Sequence, residues 1–237
     1  MDKLAIFNVS VIIPAFNEEA IIESSVRMAL TILEQHSTDF EIIIVNDGSS
    51  DKTREILESK FNHIKGISII HKAKNEGFGS AIRTGIERSS KEYIFCVPTD
   101  SPLTLNLYQL FCSYASKADV LVSFRQKRVG YTPFMLLNSW IYHLTISGLF
   151  GMRLKDYNWI HLYNRKIFTN GGITIDSNGI FMLAEILIKA KRKGFTFFEF
   201  EVQQTQRLTG IATSAKPSAM FKTFKEVFLF WVSTPKL

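Results

Sequence analysis

Short apolar runs alternate with stretches of helical spacing along the first half of the chain. Val9 to Pro14 is a β-branched run, and after Asn17 apolar residues recur every three or four positions. Similar apolar runs occupy Glu41 to Asn46, Ile67 to His71 and Tyr93 to Val97. Apolar runs of four to eight residues are typical of buried strands, whereas the three-to-four spacing is typical of helices. The pattern therefore predicts strands separated by helices.

Helices are predicted after the first three of these strands. The second helix spans Asp51 to Lys60, and its predicted cap is Ser50 or Asp51. The third follows a glycine-containing loop and runs through Ile82 and Ile86. Continuous apolar strands joined by helices favour a mainly parallel sheet covered on both faces, so we expect one α/β domain. In such a sheet, ligands bind beyond the carboxyl ends of the strands.

The second half of the chain is less regular. We expect a fifth strand, a basic loop, an amphipathic helix, a further strand, a polar loop and a final aromatic-rich helix. In the same order, these six elements span Ala118 to Phe124, Arg125 to Arg128, Phe181 to Lys193, Phe195 to Val202, Gln206 to Lys216, and Ser218 to Trp231. The nearly uncharged stretch Tyr131 to Met152 is interrupted by polar residues, which favours a helix in the core or on a membrane surface over a spanning one.

Composition narrows the class of protein. The 237 residues are 46% hydrophobic and 21% charged, which is typical of a globular domain rather than a disordered one. The formal charge of +6 favours a polyanionic partner: a diphosphate, a lipid phosphate or a nucleic acid. Cys96 and Cys112 both lie in apolar surroundings and are expected to be buried thiols in a reducing compartment. We find no secretory signal pattern at the start, so we expect a cytoplasmic protein.

Four motifs follow one another at regular intervals. They are VSVIIPAFNEE (Val9 to Glu19), VNDGSSDKT (Val45 to Thr53), NEGFGSAIRTGI (Asn75 to Ile86) and the pair Thr99-Asp100. In order and spacing they resemble family 2 glycosyltransferases of the dolichyl-phosphate mannose synthase type. The resemblance implies a GT-A fold in a single domain, with residues 1–124 as the nucleotide-sugar-binding half and 125–237 as the acceptor side.

The resemblance assigns donor-binding roles to residues at the predicted strand ends. They are Pro14, Ala15, Asn17, Glu18, Asp47, Asn75, Gly77, Thr99 and Asp100. We expect backbone N–H groups and side-chain oxygens near Asn17 and Glu18, at the opening of the first helix, to face the nucleotide. A carboxylate at Asp47 suits hydrogen bonds from a base or ribose, although an Asx turn would satisfy the sequence DGSS by itself.

Asp100 is the predicted metal ligand. The family usually carries two acidic residues around one intervening residue here, which bind a divalent metal that bridges the donor phosphates. This chain has Pro98-Thr99-Asp100, so the first carboxylate is missing. Asp100 with Thr99, the diphosphate oxygens and water would have to hold Mg²⁺ or Mn²⁺.

The predicted catalytic residues are Asp156 and Arg207. Asp156 aligns loosely with an acidic residue assigned a base or positioning role in the family, and a phosphate acceptor would need little base assistance. Arg207, in RLTGIAT, resembles an arginine of a loop that closes over the donor. Arg125, Arg128 and Arg165 are further candidates for phosphate contacts.

Glu185 lies within an apolar helical face, where it either faces the acceptor cavity or pairs with Lys189. The five histidines show neither metal-ligand spacing nor a nucleophile partner, and we expect them to be structural.

The leading hypothesis is an inverting transfer of a sugar from a nucleoside-diphosphate sugar to a polyprenyl phosphate, in cell-envelope polysaccharide synthesis, at the cytoplasmic membrane face. A glycan or other soluble acceptor is the alternative within the same class. A catalytically silent homologue that binds a nucleotide sugar is a second alternative, prompted by Pro98. A nucleic-acid-binding module would account for the charge, but the basic residues are scattered and no reading motif is present.

Overall fold

The computed structural model describes residues 7–128, 130–203 and 217–234. Seven strands form one sheet in the order β3-β2-β1-β4-β6-β5-β7. The strands are β1 (Asn8–Ala15), β2 (Asp39–Asn46), β3 (Ile67–His71), β4 (Tyr93–Cys96), β5 (Val120–Arg125), β6 (His161–Asn164) and β7 (Phe197–Val202). All adjacent pairs are parallel except those of β6 with β4 and β5. The predicted mainly parallel α/β fold is confirmed.

Within the described residues, eight α-helices pack on the two faces of this sheet. They are α1 (Ile22–His36), α2 (Thr53–Phe61), α3 (Phe78–Arg88), α4 (Leu105–Tyr114), α5 (Pro133–Phe150), α6 (Lys166–Thr169), α7 (Met182–Arg192) and α8 (Pro217–Ser233). Sequence patterns predicted the strands and most helices to within a few residues, but α4 and β6 were not among the predicted elements. The predicted loop from Gln206 to Lys216 lies outside the described residues.

Alternate residues of each central strand supply two separate cores. Ile12 packs on one face of the sheet with the residues of α3 and α7, while Val11 and Ile13 pack on the other with α1 and α2. Successive side chains of a strand point to opposite faces, so a strand covered by helices on both sides is apolar at every position. This explains why the apolar runs in the sequence do not alternate with polar residues.

Three local details differ from the predictions. Strand β1 continues through Pro14, which pairs with Val45, and ends at Ala15. The first helix begins at Ile22 rather than at Asn17. For α2, the residue before the first turn is Lys52, and Asp51 contributes by accepting a hydrogen bond from the Thr53 N–H at 3.0 Å.

Both cysteines are buried and unpaired, as predicted. Burial raises the pKa of the Cys96 thiol and of the Cys112 thiol to about 12. Thiols with so high a pKa are poor nucleophiles at neutral pH, so both residues serve as apolar packing groups.

Candidate functional site

The candidate site lies at one edge of the sheet, where the carboxyl ends of the parallel strands meet. Asp47 directly follows β2, Asp100 follows β4, and Arg125 is the last residue of β5. Because β6 runs antiparallel to its neighbours, its beginning lies at this same edge, and the preceding loop brings Asp156 there. The topology therefore brings together four predicted site residues that are far apart in sequence.

Two loops at this edge are joined by side chain-to-backbone hydrogen bonds. Asn17 donates its backbone N–H to Ser49 Oγ at 2.9 Å, and its Oδ1 accepts the backbone N–H of Ser50 at 2.8 Å. The backbone N–H of Glu18 donates to Thr53 Oγ1 at 2.9 Å. The backbone N–H groups of Asn17 and Glu18 are thus bonded to the second loop, and their expected role towards a nucleotide stays a prediction.

The same contacts explain an unusual backbone conformation. Asn17 has φ = 54°, a left-handed conformation that asparagine tolerates better than most residues. Glu19 reinforces the junction, since its backbone N–H donates to Asp51 Oδ2 at 3.0 Å and its Oε2 accepts the Lys52 N–H at 2.9 Å. Burial raises the pKa of the Asp51 carboxyl, but hydrogen bonds from Thr53 and Glu19 outweigh that effect and lower it.

Asp47 is buried and holds the loop that precedes α3. Its Oδ2 accepts the Gly77 N–H at 2.7 Å, and both its oxygens lie 3.2 Å from the Glu76 nitrogen. Asp47 does not form the Asx-type turn of the segment DGSS. That turn is made by Asn46, whose Oδ1 accepts the Ser49 N–H at 3.0 Å. Asp47 thus connects two of the sequence motifs.

Glycines allow this close approach of the loops. Gly48 has φ = 72°, and a Cβ placed there would lie 2.4 Å from the carbonyl carbon of Lys74. Gly77 has φ = 105°, and a Cβ there would lie 2.5 Å from the Asn178 carbonyl oxygen. A non-glycine side chain at either position meets backbone, which cannot easily shift. Asn75, two residues before Gly77, is exposed.

A polar cluster that sequence reasoning missed lies beside Asp47. Lys72 Nζ lies 3.4 Å from Asp47 Oδ1 and 2.6 Å from both Glu76 Oε2 and Ser80 Oγ. The pKa of Glu76 is lowered, mainly by the hydrogen bond from Lys72. Lys72 directly follows β3 and therefore lies at the edge of the sheet where ligands bind. This position after a predicted strand could have identified Lys72 as a site residue from the sequence.

Thr99 and Asp100 lie just beyond β4, as expected. Thr99 is buried and its carbonyl accepts a hydrogen bond from Ser25 Oγ at 2.8 Å, which fixes the turn against α1. Asp100 is partly exposed. No three His, Cys, Asp or Glu side chains form a metal-holding group in residues 7–128, 130–203 and 217–234.

A single carboxylate still fits one kind of divalent site. Mg²⁺ is often held by one or two carboxylates together with substrate phosphates and water. Asp100, at the strand end where a diphosphate would lie, fits a metal that arrives with the donor and not one held by the protein alone.

Asp156 forms a buried ion pair with Arg125. Arg125 Nε and Nη2 both lie 2.8 Å from Asp156 Oδ2, and each side chain is only 4% exposed. The guanidinium also packs over the Trp159 ring at 4.5 Å and donates to the Tyr131 hydroxyl at 2.9 Å. A carboxylate engaged in this way is better suited to hold arginines in place than to accept a proton.

Arg128 is the more accessible of the two arginines that face Asp156. Its Nη2 lies 3.8 Å from Asp156 Oδ1, and it packs over the Tyr131 ring at 5.8 Å. The Arg128 side chain is 22% exposed, against 4% for Arg125. Arg165, by contrast, donates from Nε to the Ser89 carbonyl at 3.0 Å beside the amino-terminal end of β4, away from the site. Arg207 lies outside the described residues.

Glu185 has a structural role. It pairs with Lys189 at 2.6 Å and accepts the backbone N–H groups of Asp176 and Ser177 at 2.8 and 2.9 Å. Of the two alternatives that the sequence left open, pairing with Lys189 is the one observed.

A further group of buried polar atoms comprises Tyr142 Oη, Asn158 Oδ1 and Glu226 Oε2. Burial raises the pKa of Tyr142, and the charges of Glu226 and Asp156 raise it further. Burial also raises the pKa of Glu226, whose other oxygen accepts the Gly179 N–H at 3.1 Å. Sequence reasoning missed this group because its members come from α5, α8 and a loop.

Comparison with known proteins decides the class of protein. The family model of Glycosyl transferase family 2 matches residues 10–182, which include the four sequence motifs except for Val9, the first residue of the first motif. The chain belongs to Glycosyl transferase family 2. The resemblance drawn from the motifs is thereby confirmed.

Curated family 2 relatives match over most of this chain. The uncharacterized glycosyltransferase EpsJ of Bacillus subtilis is 29% identical over 181 residues, which are 72% of this chain and 52% of that protein. The undecaprenyl-phosphate 4-deoxy-4-formamido-L-arabinose transferase of Photorhabdus laumondii is 36% identical over 164 residues, or 67% of this chain and 50% of that protein. The chain spans about half the length of these relatives.

Solved structures of GT-A glycosyltransferases share this fold. Glucosyl-3-phosphoglycerate synthase from Mycobacterium tuberculosis, in complex with Mn²⁺, UDP and glucosyl-3-phosphoglycerate, gives a TM-score of 0.68 at 18% identity and covers 96% of this chain and 81% of that one. Staphylococcus aureus TarS with UDP-GlcNAc gives 0.61 at 15% identity, covering 98% and 68%. These likenesses confirm the expected GT-A fold.

Proposed function

We propose that this family 2 glycosyltransferase transfers a sugar from a nucleoside-diphosphate sugar to a polyprenyl phosphate, such as undecaprenyl or dolichyl phosphate. The observation that carries the proposal is the pair of arginines on Asp156, which offers a guanidinium to an anionic acceptor beside the donor edge. Relatives named as undecaprenyl-phosphate sugar transferases support the same acceptor class.

The donor binds within residues 1–124, at the edge formed by β1, β2 and β4. Asp47 and Gly77 form the wall on one side, and Pro14 and Ala15 contribute buried backbone at the end of β1. Asn17 and Glu18 shape the loop through their contacts with Ser49 and Thr53, while the side chain of Asn75 is exposed at the pocket rim. Lys72 adds a positive charge against the nucleotide.

The diphosphate lies against Thr99 and Asp100. A divalent metal held by Asp100 would neutralise charge on the departing diphosphate. Arg207 closes over the donor in this proposal, which adds a second positive charge where the leaving group develops its own.

The acceptor binds within residues 125–237. Arg128 binds the acceptor phosphate. Asp156 positions Arg125 and Arg128 and does not accept a proton. A phosphate oxygen is already anionic, so it attacks the anomeric carbon without a base. A new carbon–oxygen bond forms as the bond to the diphosphate breaks, and the nucleoside diphosphate leaves. Attack from the opposite face inverts the anomeric centre.

Nucleoside-diphosphate release from donor and polyprenyl phosphate tests this reaction. Four donors (UDP, GDP, CDP and dTDP sugars) are each tried with and without Mn²⁺. Arg128→Gln should raise KM for polyprenyl phosphate about tenfold to a hundredfold, because charge-assisted hydrogen bonds are lost. Arg27→Gln, an exposed arginine on α1, is the matched control and should leave KM unchanged.

The alternatives give distinct outcomes. Turnover with a soluble glycan but not with polyprenyl phosphate would replace the acceptor and keep the donor. Donor binding in a thermal-shift assay without turnover on any acceptor would support a silent homologue. Asp100→Ala should abolish Mn²⁺-dependent turnover while Asp39→Ala, at the opposite edge of the sheet, should not.

We further propose that the reaction takes place at the cytoplasmic face of the membrane, in cell-envelope polysaccharide synthesis. None of the described helices is long and apolar enough to span a bilayer.

A further inference from the structure

Helix α5 is apolar on nearly every side and yet is mostly uncovered. Its 18 residues include no Asp, Glu, Lys or Arg, and only Tyr142 and Ile146 are buried. The exposed large side chains are Phe134, Leu136, Leu137, Trp140, Ile141, Leu144 and Leu149. Trp140 is 61% exposed. At 100° per residue, all of these except Leu149 fall within one side of the helix, opposite Tyr142 and Ile146.

Helix α8 extends this exposed apolar surface. It packs against α5 through Tyr142 and Phe224, whose ring centroids are 6.3 Å apart, and through Phe150 and Phe230, at 5.6 Å. Its own exposed apolar side chains are Phe221, Phe228, Leu229 and Val232, and Phe221 is 75% exposed. The exposed apolar residues of both helices are here called the α5–α8 face. Large apolar side chains exposed on two adjacent helices indicate an interaction site.

Basic residues surround the α5–α8 face. Lys127 and Arg128 precede α5, and the exposed Arg153 follows it. Lys222 and Lys225 are exposed on α8, whose single acidic residue, Glu226, is half-buried. An apolar surface that carries positive charge on α8 and at both ends of α5 is complementary to an anionic lipid bilayer, which offers acyl chains beneath negative headgroups.

A second copy of the chain fits this surface less well. In a two-fold interface the same patch meets itself, so the basic residues of the two copies would border one another. Like charges at the rim of an interface oppose association.

We propose that the α5–α8 face binds the surface of an anionic bilayer, with Trp140 and Phe221 inserted below the headgroups. The inference rests on the proposed function, because membrane binding would serve the transfer reaction. Arg128 lies in the loop that leads into α5 and would meet a lipid-borne phosphate there. Vesicle binding is measured without donor or acceptor, so its failure is distinguishable from failure of the transfer reaction.

Co-sedimentation with vesicles tests the inference directly. The partition coefficient should be about tenfold or more higher for vesicles containing about 30% phosphatidylglycerol than for vesicles of pure phosphatidylcholine. Added salt should lower it. Leu144→Glu should lower the partition coefficient about tenfold or more, because a charge would enter the apolar layer. Leu105→Glu, which changes an exposed leucine on α4, is the matched control and should bind like the wild type.

Trp140 provides a spectroscopic check. Its fluorescence should shift to the blue on addition of anionic vesicles, and the shift should be reduced in Trp140→Phe, which retains Trp159 and Trp231. Absence of binding to anionic vesicles would overturn the proposal, as would equal loss of binding in Leu144→Glu and Leu105→Glu. A dimer in sedimentation velocity that Leu144→Glu converts to a monomer would assign the face to a second copy instead.

Discussion

Arg125 donates from both Nε and Nη2 to a single oxygen of Asp156, and each bond is 2.8 Å long. The other oxygen, Oδ1, accepts the Asn158 N–H at 3.1 Å and faces Arg128 at 3.8 Å. The buried carboxylate therefore connects the end of β5, the basic loop and the segment leading into β6.

Removing this carboxylate should destabilise the protein strongly. Asp156→Ala leaves the Arg125 guanidinium buried without its counter-ion, and breaking one partner of a buried pair costs about 3–5 kcal/mol. Asp156→Asn should cost less, because the amide oxygen still accepts an N–H. Chemical denaturation measures both. Asp39→Ala, which breaks an ion pair with Lys91 in which Asp39 is exposed, should cost under about 1 kcal/mol. Equal losses in Asp156→Ala and Asp39→Ala would contradict the buried-pair interpretation.

Gly48 should tolerate alanine poorly. Left-handed backbone alone costs a non-glycine residue about 1–2 kcal/mol, and a Cβ at Gly48 would also collide with the backbone of Lys74 and Asn75. Gly194 separates the two effects, since it has φ = 78° and no atom within 4 Å of the position that a Cβ would take. Gly48→Ala should therefore lower the free energy of unfolding by more than Gly194→Ala does. It should also weaken nucleotide binding in a thermal-shift assay, whereas Gly194→Ala should not.

His161 should make the protein sensitive to mild acid. Burial lowers its pKa to about 4, from an ordinary value of 6.5. The unfolded chain then binds more protons between these two values, so stability is lost as pH falls through that window. The expected loss from this group between pH 7 and pH 5 is about 2 kcal/mol. His161→Gln, which does not titrate there, should lose less stability over the same range. An identical loss in both proteins would show that His161 does not control it.

Glu226 should have the opposite pH dependence. Burial raises its pKa above the ordinary value of 4.5, so the folded protein favours the protonated form. Its contribution to stability is present at low pH and is lost as pH rises through the raised pKa. Glu226→Gln keeps an oxygen for the Gly179 N–H and stays neutral. The variant should gain stability relative to the wild type on going from about pH 4.5 to about pH 8, which thermal unfolding at several pH values would measure. A constant difference would contradict the assignment.

The repeated strands of the first half could be predicted because each is apolar on both faces and is bounded by turn residues. β6 could not, since the run His161 to Asn164 is only four residues long and half polar. Its antiparallel direction depends on pairing with Tyr93 to Phe95 and Val120 to Val122, which no local pattern encodes. Helix α4 was missed although Thr104 caps it, because its apolar residues follow a proline-containing turn without a clear periodic start.

The positions of Asp47 and Asp100 just beyond strand ends could be predicted for the same reason as the strands. Asp47 and Asp100 occupy fixed positions after apolar runs, and the sheet brings those positions together. The contacts that these residues make could not be predicted. That Asp47 binds the Gly77 N–H, or that Asp156 is already paired with Arg125, depends on loops that meet only in three dimensions.

The hydrogen bonds between the two loops at residues 15–21 and 47–53 have a consequence for affinity. Asn17, Glu19 and Ser49 fix both loops through contacts within the protein. A nucleotide that binds over loops already held in place does not have to immobilise them, so little conformational entropy is lost at that step. The donor should accordingly lose little affinity to ordering these two loops.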